Sequence, residues 1–316
     1  MTMNNSFWKN KKVLITGDTG FKGAWLAYVL NNAGAIIQGL SSSAFNNNFQ
    51  FYESLKINKI SNTIDCDVRD LEAVKKIFFN FKPEFVFHLA AQPLVRESYL
   101  NPVITYDINV MGTISILEAI RESSSVNTAI LVTTDKCYQN NEWEWGYREN
   151  EPIGGHDPYS SSKGCAELLI QSYQKSYFSS PQTKTSVSSV RAGNVIGGGD
   201  FSNDRLIPDI YKAITQNKNL YLRNPNSTRP WQHVLEPLSG YLKVAEDLSN
   251  LGPSAQGSWN FGPHISDIRT VQEVSDLFCK SWGVENIIEH QSVEGQPHEA
   301  NSLSLDISKA FFKLQW

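Results

Sequence analysis

Cysteine is scarce in this sequence, and none is spaced to pair: Cys66, Cys137, Cys165 and Cys279 stand far apart with no Cys-x-x-Cys. A disulfide framework and a zinc site are both argued against, and the four read as reduced, mostly buried small side chains. No metal is expected. An excess of one charge is also missing, since 28 Lys+Arg against 32 Asp+Glu leave a formal −4. With no basic stripe, neither nucleic acid nor a membrane surface is an expected partner. Long apolar runs are lacking too. No stretch reaches the roughly 18 apolar residues of a membrane span, and the start holds no signal core, so a cytoplasmic location is expected. Internal repeats are absent, and biased segments are limited to short loops such as Ser41 to Asn48 and Ser179 to Thr183.

What is present is a globular composition. The 316 residues are 41% hydrophobic and 19% charged, with 20 Gly and 13 Pro spread along the chain, enough for one large domain or two fused ones. Short β-rich runs alternate with amphipathic stretches: Val13 to Ile15 then Phe21 to Leu30, Phe85 to Leu89 then Val103 to Ile120, Ala129 to Val132 then Tyr159 to Tyr173. That alternation predicts βαβ units on a parallel sheet. Phe21, Trp25 and Tyr28 or Val29 share one face of the first helix, and Asp70 is placed to cap Leu71 to Phe81 ahead of Pro83. After about Gly197 the rhythm breaks into a short strand at Leu220 to Leu222 and helices near Leu238 to Leu248 and Val271 to Trp282. The expected fold class is therefore α/β, a Rossmann-type doubly wound parallel sheet with a smaller α/β substrate-binding lobe. The division is placed at 1–190 and 191–316, with the two interleaved.

Directly after the first strand runs Thr16-Gly17-Asp18-Thr19-Gly20-Phe21-Lys22-Gly23. Glycines at this spacing permit a tight turn, close backbone approach to a pyrophosphate and close helix–strand packing, while the helix N-terminus offers N–H groups to the anion. A dinucleotide is expected there. The second strand runs into Ser41, Ser42 and Ser43, with no acid for a ribose hydroxyl and no nearby Arg or Lys for a 2′-phosphate, which favours NAD only mildly.

Tyr159 and Lys163 lie one turn apart at the start of a predicted helix. A unit charge at ~4 Å and an effective dielectric of ~20 is worth about 4 kcal/mol, roughly three pKa units, enough to bring a phenol of pKa ~10 near neutrality as a base. The preceding strand ends in Thr133-Thr134-Asp135-Lys136, at the edge where open α/β sheets bind ligands.

These residues and the longer strings around them, TGDTGFKG, HLAAQPLVRESY, TTDKCY, RAGNVIGGGD and RPWQHVLEPLSGY, make the chain similar over nearly its whole length to the extended short-chain dehydrogenase/reductase family, and within it to nucleotide-sugar 4,6-dehydratases. The resemblance implies a Thr134, Tyr159, Lys163 triad, with Asp135 as acid and Lys136 as base in water elimination. It implies cofactor contacts from Gly17, Gly20, Phe21, Lys22 and Gly23, with Asp67 and Val68 at the adenine and Leu89, Ala90 and Ala91 lining the cofactor. The implied substrate is CDP-glucose, converted to its 4-keto-6-deoxy form in deoxysugar biosynthesis. Arg96, Asn194, Arg205, Arg229, Trp231 and His233 resemble sugar-nucleotide contacts, although arginines are also commonly paired on surfaces. His298 reads equally as a structural histidine or a ligand contact. Trp143, Trp145 and Trp259 join Trp231 as tryptophans placed near the site, and Asn109 is expected to support its backbone. A homodimer or homotetramer is expected. The resemblance also runs past Leu314-Gln315-Trp316, so a final helix is expected to complete the cover of Phe311, Phe312, Leu314 and Trp316. A 4-epimerase and a non-catalytic NAD sensor on the same fold remain the rival readings.

Overall fold

The computed structural model describes residues 4–43, 49–180, 182–285, 287–290 and 300–316. Seven parallel strands form one sheet. Six come first in the chain, β1 (Lys12–Thr16), β2 (Ile36–Ser41), β3 (Ile64–Asp65), β4 (Phe85–His88), β5 (Thr128–Val132) and β6 (Ser186–Ala192), and Gly257–Phe261 returns to pair with β6. In space the order is Gly257–Phe261, β6, β5, β4, β1, β2, β3. The chain thus winds outward in both directions from the β1–β4 pair, where Thr16 lies in register with His88. Ligands bind at the carboxyl ends of strands beside such a reversal.

Strand sequences follow from burial on both faces. Val13 and Ile15 pack to one side with Phe85, Phe87 and Ile130, while Leu14, Val86, Ala129 and Leu131 face the other. Alternate residues of a strand point to opposite faces, so a doubly covered strand reads as a continuous apolar run. The first face is closed by Phe21–Asn32 and Leu235–Leu251, the second by Leu71–Phe81, Gly112–Glu122 and Pro158–Tyr177.

Local signals resolve as expected at Leu71–Phe81, where the Asp70 side chain accepts from the Ala73 amide and Lys82 closes the end in a left-handed conformation. In Phe21–Asn32 the buried face is Phe21, Ala24, Ala27 and Leu30, with Leu26 beside it, and Tyr28 is turned outward at 37% exposure. The helix expected over Val103 to Ile120 is interrupted by a π turn at Asp107–Met111, the form a helix takes to re-aim a side chain. Here that side chain is Asn109, described below. This same Pro102–Glu122 stretch corrects the expectation about membrane spans: it is long and apolar enough by composition, and more than half of it is buried inside the domain. At the chain end Leu314 is buried and Trp316 packs edge-on against Phe261 at 5.0 Å, whereas Phe311 and Phe312 are exposed.

Trp8 anchors the amino-terminal edge. It is fully buried, its ring lies 4.9 Å from Phe85, and its Nε1 donates to Glu246 Oε1 at 2.7 Å. Trp8→Ala is expected to cost about 3–5 kcal/mol in urea unfolding, and a loss below about 1 kcal/mol would show that this edge does not share the core's cooperativity.

Candidate active site

The glycine turn is built by close approach. Gly17 has φ +74°, and a Cβ there would stand 2.8 Å from the Ala90 amide nitrogen; a Cβ on Gly23 would collide with the Gly17 carbonyl. Both positions require glycine. The helix that starts at Phe21 has no side-chain cap, so its first amides remain for an anion. Lys22 is half-buried and its ammonium is pulled down to about 7, by burial first and by the Arg205 charge next. No acid follows Gly39, and the carboxylate of the loop itself is turned inward: buried Asp18 accepts from Ser41 Oγ (2.8 Å), Ser61 Oγ (3.2 Å) and Thr63 Oγ1. Burial raises its pKa.

The wall opposite is held by a chain of hydrogen bonds that fixes a tautomer. Leu89 and Ala90 amides both donate to Thr16 Oγ1 at 3.2 Å, and Thr16 Oγ1 stands 2.7 Å from His88 Nδ1. On the other side His88 Nε2 is 3.3 Å from Thr113 Oγ1, which donates to the Asn109 carbonyl. Donors and acceptors match when Nε2 carries the proton and Nδ1 accepts. Burial holds the imidazole neutral, at about 3, with the Lys163 charge adding to the effect. Asn109 completes the wall: its Oδ1 accepts from Gln92 N (2.9 Å), and its Nδ2 donates to Gln92 O (3.1 Å) and Ser162 Oγ (2.9 Å). It therefore ties the π turn to the helix of Tyr159.

That helix, Pro158–Tyr177, begins with Asp157 as N-cap, its carboxylate accepting from the Ser160 amide at 2.9 Å, and with proline at its first position. The Tyr159 amide donates to Ser98 Oγ at 3.1 Å. Tyr159 and Lys163 are 8% and 7% exposed, and the Lys163 ammonium donates to the Val132 carbonyl at 3.2 Å. The expected electrostatics are corrected here. Burial pushes the phenol up to about 12, opposed by the Thr134 hydroxyl and reinforced by Asp135, and Lys163 does not set it. Burial also brings Lys163 down to about 8, against the pull of Glu167. Spacing on the helix brought the two residues together, while desolvation decides their proton affinities.

A short turn, Asp135–Cys137, carries the rest. Thr134 Oγ1 donates to Asp135 Oδ1 at 2.9 Å, Lys136 Nζ lies 3.9 Å from the same oxygen, and the buried Oδ2 of Asp135 has no hydrogen-bond partner. All three residues, with Tyr159 and Lys22, face one cavity of about 620 Å³, which Arg96, Asn194, Arg205, Arg229 and Trp231 also line. Inside it Arg205 pairs with Asp200 at 2.8 Å, Arg96 lies 3.7 Å from Asp204, Arg229 donates to the Thr228 carbonyl at 2.8 Å, and Trp231 Nε1 donates to the Arg269 carbonyl at 3.0 Å. Arg223, which drew no attention in the sequence, lines the same cavity 3.6 Å from Asp204; only its place just after the Leu220–Leu222 strand hinted at it.

Other candidates lie elsewhere. His233 is exposed, with its Nδ1 accepting from the Leu235 amide, and is not on the cavity wall. Trp143 stacks on Tyr147 at 5.4 Å and meets Trp145 in a tilted pair at 5.2 Å, and Trp259 is buried beneath the Lys309 ammonium at 4.1 Å, so of the four tryptophans only Trp231 lines the cavity. The Asp67 carboxylate is engaged by Arg69 at 2.6 Å, and Val68 is buried under Gly112. His298 lies outside the described residues.

Comparison with known proteins bears on this constellation. The family model described as GDP-mannose 4,6 dehydratase matches residues 14–316. A CDP-glucose 4,6-dehydratase of Salmonella typhimurium is 47% identical over 99% of this chain and 88% of its own length. A dTDP-glucose 4,6-dehydratase from Streptomyces venezuelae, solved with NAD and TYD bound, superposes with a TM-score of 0.82 at 21% identity, covering 96% of this chain and 90% of that one. A UDP-glucose 4-epimerase of Thermotoga maritima, solved with UDP-glucose, gives the same TM-score at 20% identity over 96% and 93% of the two chains. At such identities the two structures speak for the fold alone.

The neutral imidazole in the wall has a pH consequence of fixed sign. A histidine whose folded pKa is lowered, here from 6.5 to about 3, contributes stability that is present above 6.5 and is lost as pH falls toward 3. Unfolding free energy should decrease by about 1.4 kcal/mol per pH unit across that window on account of His88, and His88→Gln should flatten the slope. Parallel slopes for the two proteins in urea titrations between pH 6.5 and 4 would contradict the buried neutral assignment.

Proposed function

The chain belongs to the GDP-mannose 4,6 dehydratase family, and from that membership we propose that it converts CDP-glucose to CDP-4-keto-6-deoxyglucose and water with NAD as cofactor. The observation that carries the reading is the placing of two kinds of chemistry on one cavity wall: Thr134 and Tyr159 beside an Asp135–Lys136 pair whose buried Asp135 Oδ2 has no partner. A 4-epimerase needs only the first kind, and a sensor needs neither.

The residues present fit a dinucleotide. The Gly17–Gly23 cradle and the uncapped helix start suit its diphosphate, Leu89 to Ala91 would line it, and Asp67 with Val68 would meet its adenine. When bound, NAD supplies a reversible hydride acceptor that carries a positive charge. As a phenolate, which the positive charge of bound NAD would favour over the ligand-free phenol, Tyr159 would take the proton of the sugar 4-hydroxyl, and Thr134 would hold the same oxygen. The 4-ketone acidifies C5–H, Lys136 accepts that proton, and Asp135 delivers a proton to the departing 6-hydroxyl. Lys136 would give a proton back to C5 as bound NAD gave back its hydride, which leaves the reaction redox-neutral. Lys163, one helical turn from Tyr159 and buried like it, supplies the ammonium of the triad. Arg96, Arg205 and Arg229, with Asn194, are the groups for the sugar nucleotide, since guanidinium forks suit a pyrophosphate, and Trp231 offers a ring for the base. His298 stays a candidate for the same contact. This reading takes 1–190 as the cofactor part and 191–316 as the nucleotide-sugar part of a self-associating cytoplasmic enzyme.

Two outcomes are expected. Deuterium placed at C4 of CDP-glucose should be found at C6 of the product without net NADH; washout into solvent or stoichiometric NADH would defeat the dehydratase reading. Lys136→Met should retain CDP-glucose binding and the first hydride transfer, while losing most water elimination and most C5 exchange with solvent. Wild-type C5 exchange in that variant would assign the base to another group.

A further inference from the structure

Glu167 is fully buried one helical turn beyond Lys163, and its carboxylate gathers partners from two strands of the sheet and from the residue that follows a third. Thr133, just past the end of β5, donates to its Oε1 at 2.5 Å. Ser189 and Arg191 of β6 donate to its Oε2 at 2.9 and 2.6 Å, and Ser258 of the last strand does so at 3.2 Å. Arg191, equally buried, continues the connection: its Nη1 donates to Tyr138 Oη at 2.6 Å and to the Glu149 carbonyl at 3.1 Å, and its guanidinium lies over the Tyr138 ring at 4.8 Å. Tyr138 Oη donates in turn to Asn260 Oδ1 at 2.7 Å. The ion pair therefore grips residues 133–138 at both ends. Between the two grips lie Thr134, Asp135 and Lys136, and the carboxylate itself belongs to the helix of Tyr159 and Lys163.

We propose, resting on the dehydratase reading above, that Glu167 and Arg191 are a positioning pair that sets the Thr134–Lys136 turn against the Tyr159–Lys163 helix, with the Glu167 carboxylate keeping the Lys163 ammonium charged. Stability alone is a poor reason for such a pair, because a buried ion pair is commonly replaceable by apolar groups without loss, whereas removing one partner strands the other. The geometry instead links both halves of the site through one carboxylate. Glu167 on its own helix and Cys137 on the Asp135–Cys137 turn act on Lys163, whose charge acts in its turn on His88 of β4 and on Lys22 of the glycine loop. Burial keeps the Cys137 thiol and the His88 imidazole neutral near pH 7, and Lys22 is cationic or neutral. Glu167 is thus the anion among them, and it raises the Lys163 pKa against burial.

The test compares wild type, Glu167→Gln, Glu167→Asp and the double variant Glu167→Gln/Arg191→Met, in which no buried charge is stranded. Melting temperature reports folding, and 13C NMR of the lysine Cε in the ligand-free protein reports the Lys163 titration independently of turnover. In the double variant the alkaline limb of kcat, where Lys163 loses its proton, and the NMR titration should both move to lower pH by about one unit. Its kcat should fall at least about tenfold with KM for CDP-glucose changed little. Glu167→Asp should return the limb toward its wild-type position while kcat stays low, because the shorter carboxylate withdraws from Thr133. A folded double variant with the wild-type limb, the wild-type Lys163 titration and undiminished kcat would overturn the proposal. Absence of a 4-keto product from the wild type would instead overturn the dehydratase reading and leave the Lys163 titration to judge the pair.

Discussion

Exclusion of water at the carboxyl ends of β1, β4 and β5 is the constraint on which the site depends. The strands are apolar and covered on both faces, yet they lead into Thr16, His88 and Thr133-Thr134, polar groups that are more than nine-tenths buried. Each must find a partner inside the protein. The chain from Leu89 and Ala90 through Thr16, His88 and Thr113 to Asn109 answers that demand on one side, and the Glu167–Arg191 cluster answers it on the other. The same desolvation lowers His88, Lys163 and Lys22 and raises Tyr159. One cause thus shapes both the rigidity of the wall and the proton affinities of the groups it carries.

Local features were legible in the sequence because their physics is local. The glycine turn, the Asp70 cap, the one-turn spacing of Tyr159 and Lys163 and the Val271–Trp282 helix all follow from neighbours within a few residues. Partners across the fold were not legible. Nothing near Asp18 announces Ser41, Ser61 and Thr63, nothing near Glu167 announces Arg191, and Arg223 carries no motif. The π turn at Asp107–Met111 escaped for the same reason, since Asn109 bends the helix to reach Gln92 and Ser162. The expected depression of the Tyr159 phenol by Lys163 failed because a spacing fixes which residues meet but not how much water is left around them.

Fold does not separate the candidate activities, because dehydratases and epimerases of nucleotide sugars share this architecture to the same degree. The distinction rests on residues 135 and 136. Beside the Thr134–Tyr159–Lys163 group lie a buried carboxylate with an unpartnered oxygen and an amine 3.9 Å from its other oxygen, which on the proposed reading would be the second acid–base couple that loss of water requires and that inversion at C4 does not.

The most direct measurement is the product formed from CDP-glucose and NAD by the purified protein, identified by NMR. CDP-4-keto-6-deoxyglucose is the expected product, with a C6 methyl signal and a hydrated or free ketone at C4. CDP-galactose, or unchanged CDP-glucose, would contradict it.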